Sequence, residues 1–91
     1  MENNENNNIV EEVKEAFAKF NSKLHVNKIF DAGDGVYFVV AQFSPDKNVI
    51  EEDPFYFYAN GKVTNTTITD SAARLKEFGR ITQDKNLVYS R

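Results

Sequence analysis

Asn60-Gly61 separates two runs of strand-forming residues, Phe55 to Ala59 and Lys62 to Ile68. A two-residue type I′ turn needs positive φ at both central residues, and Asn followed by Gly accepts it. The pair therefore reads as the tip of a β-hairpin. A two-residue loop also fixes the register, pairing Tyr58 with Val63 and Phe57 with Thr64. Alternation then puts Tyr56, Tyr58 and Val63 on one face, and Phe55, Phe57, Thr64, Thr66 and Ile68 on the other. Both faces are partly apolar, and the pattern leaves open which of them is the core.

The remaining elements follow from periodicity. Ile9, Val10, Val13, Ala16, Phe17 and Phe20 recur at helical spacing, opposite Glu11, Glu12, Lys14, Glu15 and Lys19. Asn8 with Glu11 three residues later reads as a capping box that starts this helix, and Asn21-Ser22 ends it. Leu24 to Phe30 reads as a strand with Leu24, Val26 and Phe30 on one face and His25, Asn27 and Ile29 on the other. The segment from Asp31 to Gly35 is a turn. Val36 to Phe43 is the strongest strand. Val36, Phe38 and Val40 point one way, and Tyr37, Val39, Ala41 and Phe43 the other. That fits a central strand, either covered on both sides or exposed at an interface. Ser44 to Asp53 is a loop, with Val49-Ile50 expected to anchor it. After the hairpin, Thr69 or Asp70 caps a second helix with Ala72, Leu75 and Phe78 as its inner stripe and Gly79 as its stop. Leu87-Val88-Tyr89 reads as a short edge strand or a packed extension. The order is α-β-β-β-β-α, with a short final strand where Leu87-Val88-Tyr89 pairs with the sheet rather than packing as an extension. This is an α+β fold, an antiparallel sheet of about four strands with an N-terminal and a C-terminal helix.

At 91 residues the chain is too short for two domains with separate cores. Residues 1–8 form a polar low-complexity octet expected to be disordered, and residues 9–91 a single small domain. The octet has neither a basic start nor an apolar stretch, so no secretory signal is expected. No apolar run is long enough to span a membrane. The chain contains no cysteine, which fits a reducing, cytoplasmic setting. Eleven asparagines beside eight lysines and three arginines fit an AT-rich coding sequence, as in a bacterium or its phage.

Familiar catalytic chemistry finds little support. One histidine and no cysteine argue against zinc, iron or copper sites. Asp31-x-x-Asp34-Gly35 lacks the EF-hand spacing. Glu51-Glu52-Asp53 reads as a solvated loop. No nucleophile elbow and no glycine-rich phosphate loop is present. His25 reads as an ordinary strand residue. No catalytic residue, metal ligand or cofactor is therefore expected, and the chain reads as a non-enzyme.

Charge is divided along the chain: residues 1–53 carry a net −6 and residues 54–91 a net +3. Arg74, Lys76 and Arg80 on and beside the second helix form a candidate basic patch. Tyr37, Tyr56, Tyr58 and Val63 form a candidate interface, because tyrosine is favoured at contact surfaces and the sheet shows apolar residues on both faces. The leading expectation is a non-enzymatic protein-interaction module that self-associates or binds a protein partner. A nucleic-acid binder using the basic helix is the alternative, and a small carboxylate-dependent enzyme is third.

Overall fold

The computed structural model describes residues 3–46, 48–49, 54–66 and 72–91 of the chain, and the side chains of residues 3–7 and 72–74 are not described. Helix α1 spans Asn3–Phe20 and is followed by strands β1 (His25–Gly33), β2 (Val36–Gln42), β3 (Phe55–Ala59) and β4 (Lys62–Thr66). Helix α2 (Ala72–Ile81) and a 3-10 turn (Asp84–Asn86) lead into strand β5 (Leu87–Ser90). The strands form one antiparallel sheet in the order β4-β3-β2-β1-β5, so β2 is central and the last strand closes an edge beside β1. The α+β reading holds, with Leu87 to Ser90 as the fifth strand.

The hairpin forms as its turn dictates. Asn60 and Gly61 have φ of 51° and 81°, and Tyr58 pairs with Val63 and Phe57 with Thr64. The turn between β1 and β2 uses the same chemistry. Asp34 and Gly35 have φ of 57° and 78°, and Asp31 Oδ1 accepts the Gly33 N–H at 2.8 Å. Strand pairing therefore reaches Gly33, beyond the Phe30 end expected from the sequence.

Each face of the sheet carries its own core. On one face, Val10, Val13 and Phe17 of α1 pack on Leu24, Val26, Ile29, Val39, Ala41, Tyr56 and Tyr58. On the other, Phe78 and Ile81 of α2 pack on Phe30 and Phe38, flanked by Val40, Phe55 and Phe57. The alternation read in Val36 to Phe43 is thus the boundary between two cores, and the central strand is covered on both sides.

Five local expectations are corrected. Helix α1 starts at Asn3, so Asn8 lies inside the helix and caps nothing. A formed helix extends one hydrogen bond per residue at little cost, and the polar residues before Ile9 continue it. In β1 a bulge inserts Asn27 between the pairs Val26–Ala41 and Lys28–Val40. Val26 and Ile29 consequently share the α1 core while Phe30 joins the other; strict alternation had separated Val26 from Ile29. Gly79 does not end α2, which continues to the buried Ile81. The stop comes later, where Thr82 Oγ1 donates to Phe78 O at 2.8 Å and Asn86 Nδ2 to Ile81 O at 3.0 Å. Leu75 is 51% exposed, at the rim of the helical stripe. Val49 is exposed and anchors nothing, and Ile50, Thr69 and Asp70 lie outside the described residues. Among the described residues no helix is long and apolar enough to cross a membrane.

Candidate functional site

Helix α2 does not cover its face of the sheet completely. Between α2 and the β1-β2 end of the sheet lies a groove of about 690 Å3. Its floor and walls are apolar, built from Phe30, Phe38, Val40, Phe55, Leu75 and Phe78. The rings of Phe38 and Phe78 stack with centroids 4.8 Å apart, and Phe55 lies 5.7 Å from Phe38. Gly79 presents bare backbone to the groove, with open space where a β-carbon would stand.

One end of the groove is polar. The β-bulge brings both Asn27 and Lys28 to its lining, beside Gln42 from β2 and Arg91 at the end of β5. Asn27 Nδ2 donates to Gln42 Oε1. Gln42, itself buried, donates through Nε2 to Ser44 O at 3.0 Å and Asp46 O at 2.6 Å. The Arg91 backbone N–H donates to Asn27 O at 2.7 Å, and its guanidinium to Pro45 O at 2.5 Å. These bonds join the bulge, the last strand and the loop after β2 into one support. One atom is left over: Asn27 Oδ1 is buried and has no hydrogen-bond partner.

The candidate interface residues are placed differently from the expectation. Tyr56 and Tyr58 are buried beneath α1, and Tyr37 and Val63 are half-buried against the same cluster. Tyr56 and Tyr58 belong to the α1-side core, and Tyr37 and Val63 pack against it with part of their surface exposed. The apolar excess that pointed to a partner at these positions fills a second core instead. Tyr58 is anchored further by its hydroxyl, which donates to Glu12 Oε2 on α1. Burial, this hydrogen bond and the Glu12 charge push its pKa up from 10.0 to about 12. The phenol titrates earlier in the unfolded chain than in the folded one. Its contribution is therefore complete below pH 10 and is lost as pH rises towards 12. Replacing Tyr58 by Phe should flatten that alkaline loss in urea midpoints measured across this range.

The candidate basic patch is only partly assembled. Arg80 is bound to Glu77 at 2.6 Å, and the guanidinium holds the Glu77 carboxyl below its ordinary range through that hydrogen bond and its charge. Lys76 is exposed, and the Arg74 side chain lies outside the described residues. His25 lines a smaller recess of about 260 Å3 with Lys14 and Tyr89, where the Lys14 ammonium sits 4.4 Å over the Tyr89 ring and ties α1 to β5. Among the described residues no three of His, Asp and Glu stand together as metal ligands. Glu51, Glu52 and Asp53 lie outside those residues.

Fold and groove together define a small α+β domain with a helix on each face of a five-stranded antiparallel sheet and an open groove under the second helix. Compared with known proteins, the chain matches no family model, no curated protein and no solved structure.

The residues at the polar end, Asn27, Gln42 and Arg91, were not singled out by the sequence. The signal at Asn27 and Gln42 was polarity inside a strand, and Arg91 follows the last strand. Strict alternation also put Asn27 on the same face as Ile29, whereas the bulge places them on opposite sides.

Proposed function

We infer that this chain is a non-enzymatic protein-interaction module whose contact surface is the groove beneath α2. One observation carries the reading: a groove of about 690 Å3 with aromatic walls that ends in a supported polar network with one unsatisfied acceptor. Pockets that bind are mostly apolar, about 300–1,000 Å3 in volume, and carry a few convergent polar groups. Among the described residues the lining supplies amides, hydroxyls and two cations, and neither a carboxylate nor a histidine to move a proton. That donor set suits recognition better than acid–base chemistry. The cysteine-free, asparagine- and lysine-rich composition fits a cytoplasmic accessory or modulator protein of a bacterium or its phage.

Peptides selected from a random displayed library against the whole chain test this. Binders are expected to shift the amide signals of Phe78, Gly79 and Thr82 in a nitrogen-15 spectrum. They should lose most of their affinity to Leu75→Glu, a change at an exposed rim position. Binders that map to a sheet edge instead, or that are indifferent to Leu75→Glu, would contradict the reading.

A further inference from the structure

The strand pairing shows which cation faces the groove. Lys28 on β1 pairs with Val40 on β2 and with Ser90 on β5. Residues directly opposite each other share a face of a sheet, and Val40 and Ser90 both line the groove. Lys28 therefore stands on the groove side. It lies two residues along β1 from Phe30 of the apolar floor, a step of about 7 Å. Lys28 is exposed and has no ion pair among the described residues. Arg91, whose guanidinium is held at this end by the Pro45 carbonyl, is the second cation of the lining. Among the described residues the lining contains no carboxylate. An aromatic floor thus ends in positive charge that the lining itself does not answer.

The geometry points to an acidic peptide segment of another protein as the occupant, with a large apolar side chain on Phe30, Phe38 and Phe78 and a nearby carboxylate paired with Lys28. This rests on the groove being the contact surface proposed above. An ammonium only donates hydrogen bonds and a carboxylate only accepts them, so the pair matches in charge and in hydrogen bonding. A basic segment would bring like charge to Lys28 and Arg91. The apolar floor supplies the burial, and the cations choose the partner and set its direction. Alternate residues of an extended segment lie on one face about 7 Å apart, which matches the step from Phe30 to Lys28. A volume of about 690 Å3 holds more than one side chain. The apolar stripe of this chain's own acid-rich helix, Val10, Val13 and Phe17, is buried in the α1-side core and is not on offer to a second copy.

The library peptides selected against the whole chain serve as probes, mapped to the groove by the Phe78 and Gly79 amide signals. They are expected to carry aspartate or glutamate close to a large apolar residue. Changing that acid to its amide in the tightest peptide should weaken binding to the unaltered chain about threefold to fivefold. Added salt should weaken the acidic peptide and leave its amide counterpart nearly unchanged. Lys28→Met keeps an apolar stem on the strand and removes the charge. It should cost the acidic peptide the same factor and the amide peptide nothing, so that the two changes do not add. The peptide comparison uses the unaltered chain, so it stands whether or not the variant folds. Groove binders indifferent to the loss of their acid overturn this inference and leave the contact surface in place. Groove signals that move when the chain is concentrated without peptide put a second copy there and also overturn it alone. Selected peptides that leave the groove signals unmoved overturn both proposals.

Discussion

Phe38→Ala is expected to destabilise the domain by about 3–5 kcal/mol, read as a lower urea midpoint with little change in slope. The expected size follows from position. Phe38 is fully buried on the central strand, and its ring meets four others: Phe30, Phe55, Phe57 and Phe78, at centroid separations of 6.4, 5.7, 5.4 and 4.8 Å. Truncation removes the transfer free energy of the ring and leaves a void whose rigid aromatic lining collapses poorly. Domains of this size are stable by only about 5–15 kcal/mol, so the variant should be near the edge of unfolding. Leu75→Ala, at an exposed position on the same helix-covered side, should stay within about 0.5 kcal/mol of the parent.

Phe17→Ala is expected to cost a similar amount, about 3–5 kcal/mol, on the opposite face of the sheet. Phe17 is fully buried, with its ring edge-on to Tyr56 at 5.3 Å. With Val13 it carries the fully buried part of α1. An amphipathic helix gains most of its stability from such packing, since isolated helices are marginal in water. The variant should therefore lose helical circular dichroism together with its urea midpoint. A spare, uncovered sheet face at either position would make one of these two substitutions nearly neutral.

The parts of the fold that were legible in the sequence are those governed by local chemistry. Asn60-Gly61 admits one turn type, and that turn fixed the pairing of Tyr58 with Val63. The inward stripe of α1 and the two-sided pattern of β2 follow from periods of 3.6 and 2. Asp34-Gly35 carries the same turn signal, but inside the longer polar and glycine-containing run Asp31 to Gly35 it does not mark where β1 ends.

The rest depended on tertiary balance. Gly79 is a plausible stop by propensity, at a cost of about 1 kcal/mol inside a helix. Burying Ile81 and capping the helix through Thr82 and Asn86 outweigh that cost. The bulge at Asn27 has no sequence signature here, since neither glycine nor proline marks it. A one-residue insertion re-aims every later side chain of the strand, so the groove's polar end was invisible. Tyrosine at a half-covered strand position reads the same whether a partner or the chain's own helix covers it. Only the placement of α1, with Glu12 accepting from the Tyr58 hydroxyl, assigns Tyr56 and Tyr58 to the core.

The sheet carries a helix-covered core on each face, with a groove left open under α2. A single nuclear Overhauser spectrum of the labelled chain tests it most directly. Ring-to-ring contacts are expected between Phe17 and Tyr56 and between Phe38 and Phe78 in the same sample, at the 5.3 and 4.8 Å centroid separations of the structure. Absence of either set, with the other retained, would mean that one face of the sheet is uncovered and that the two-core arrangement is wrong.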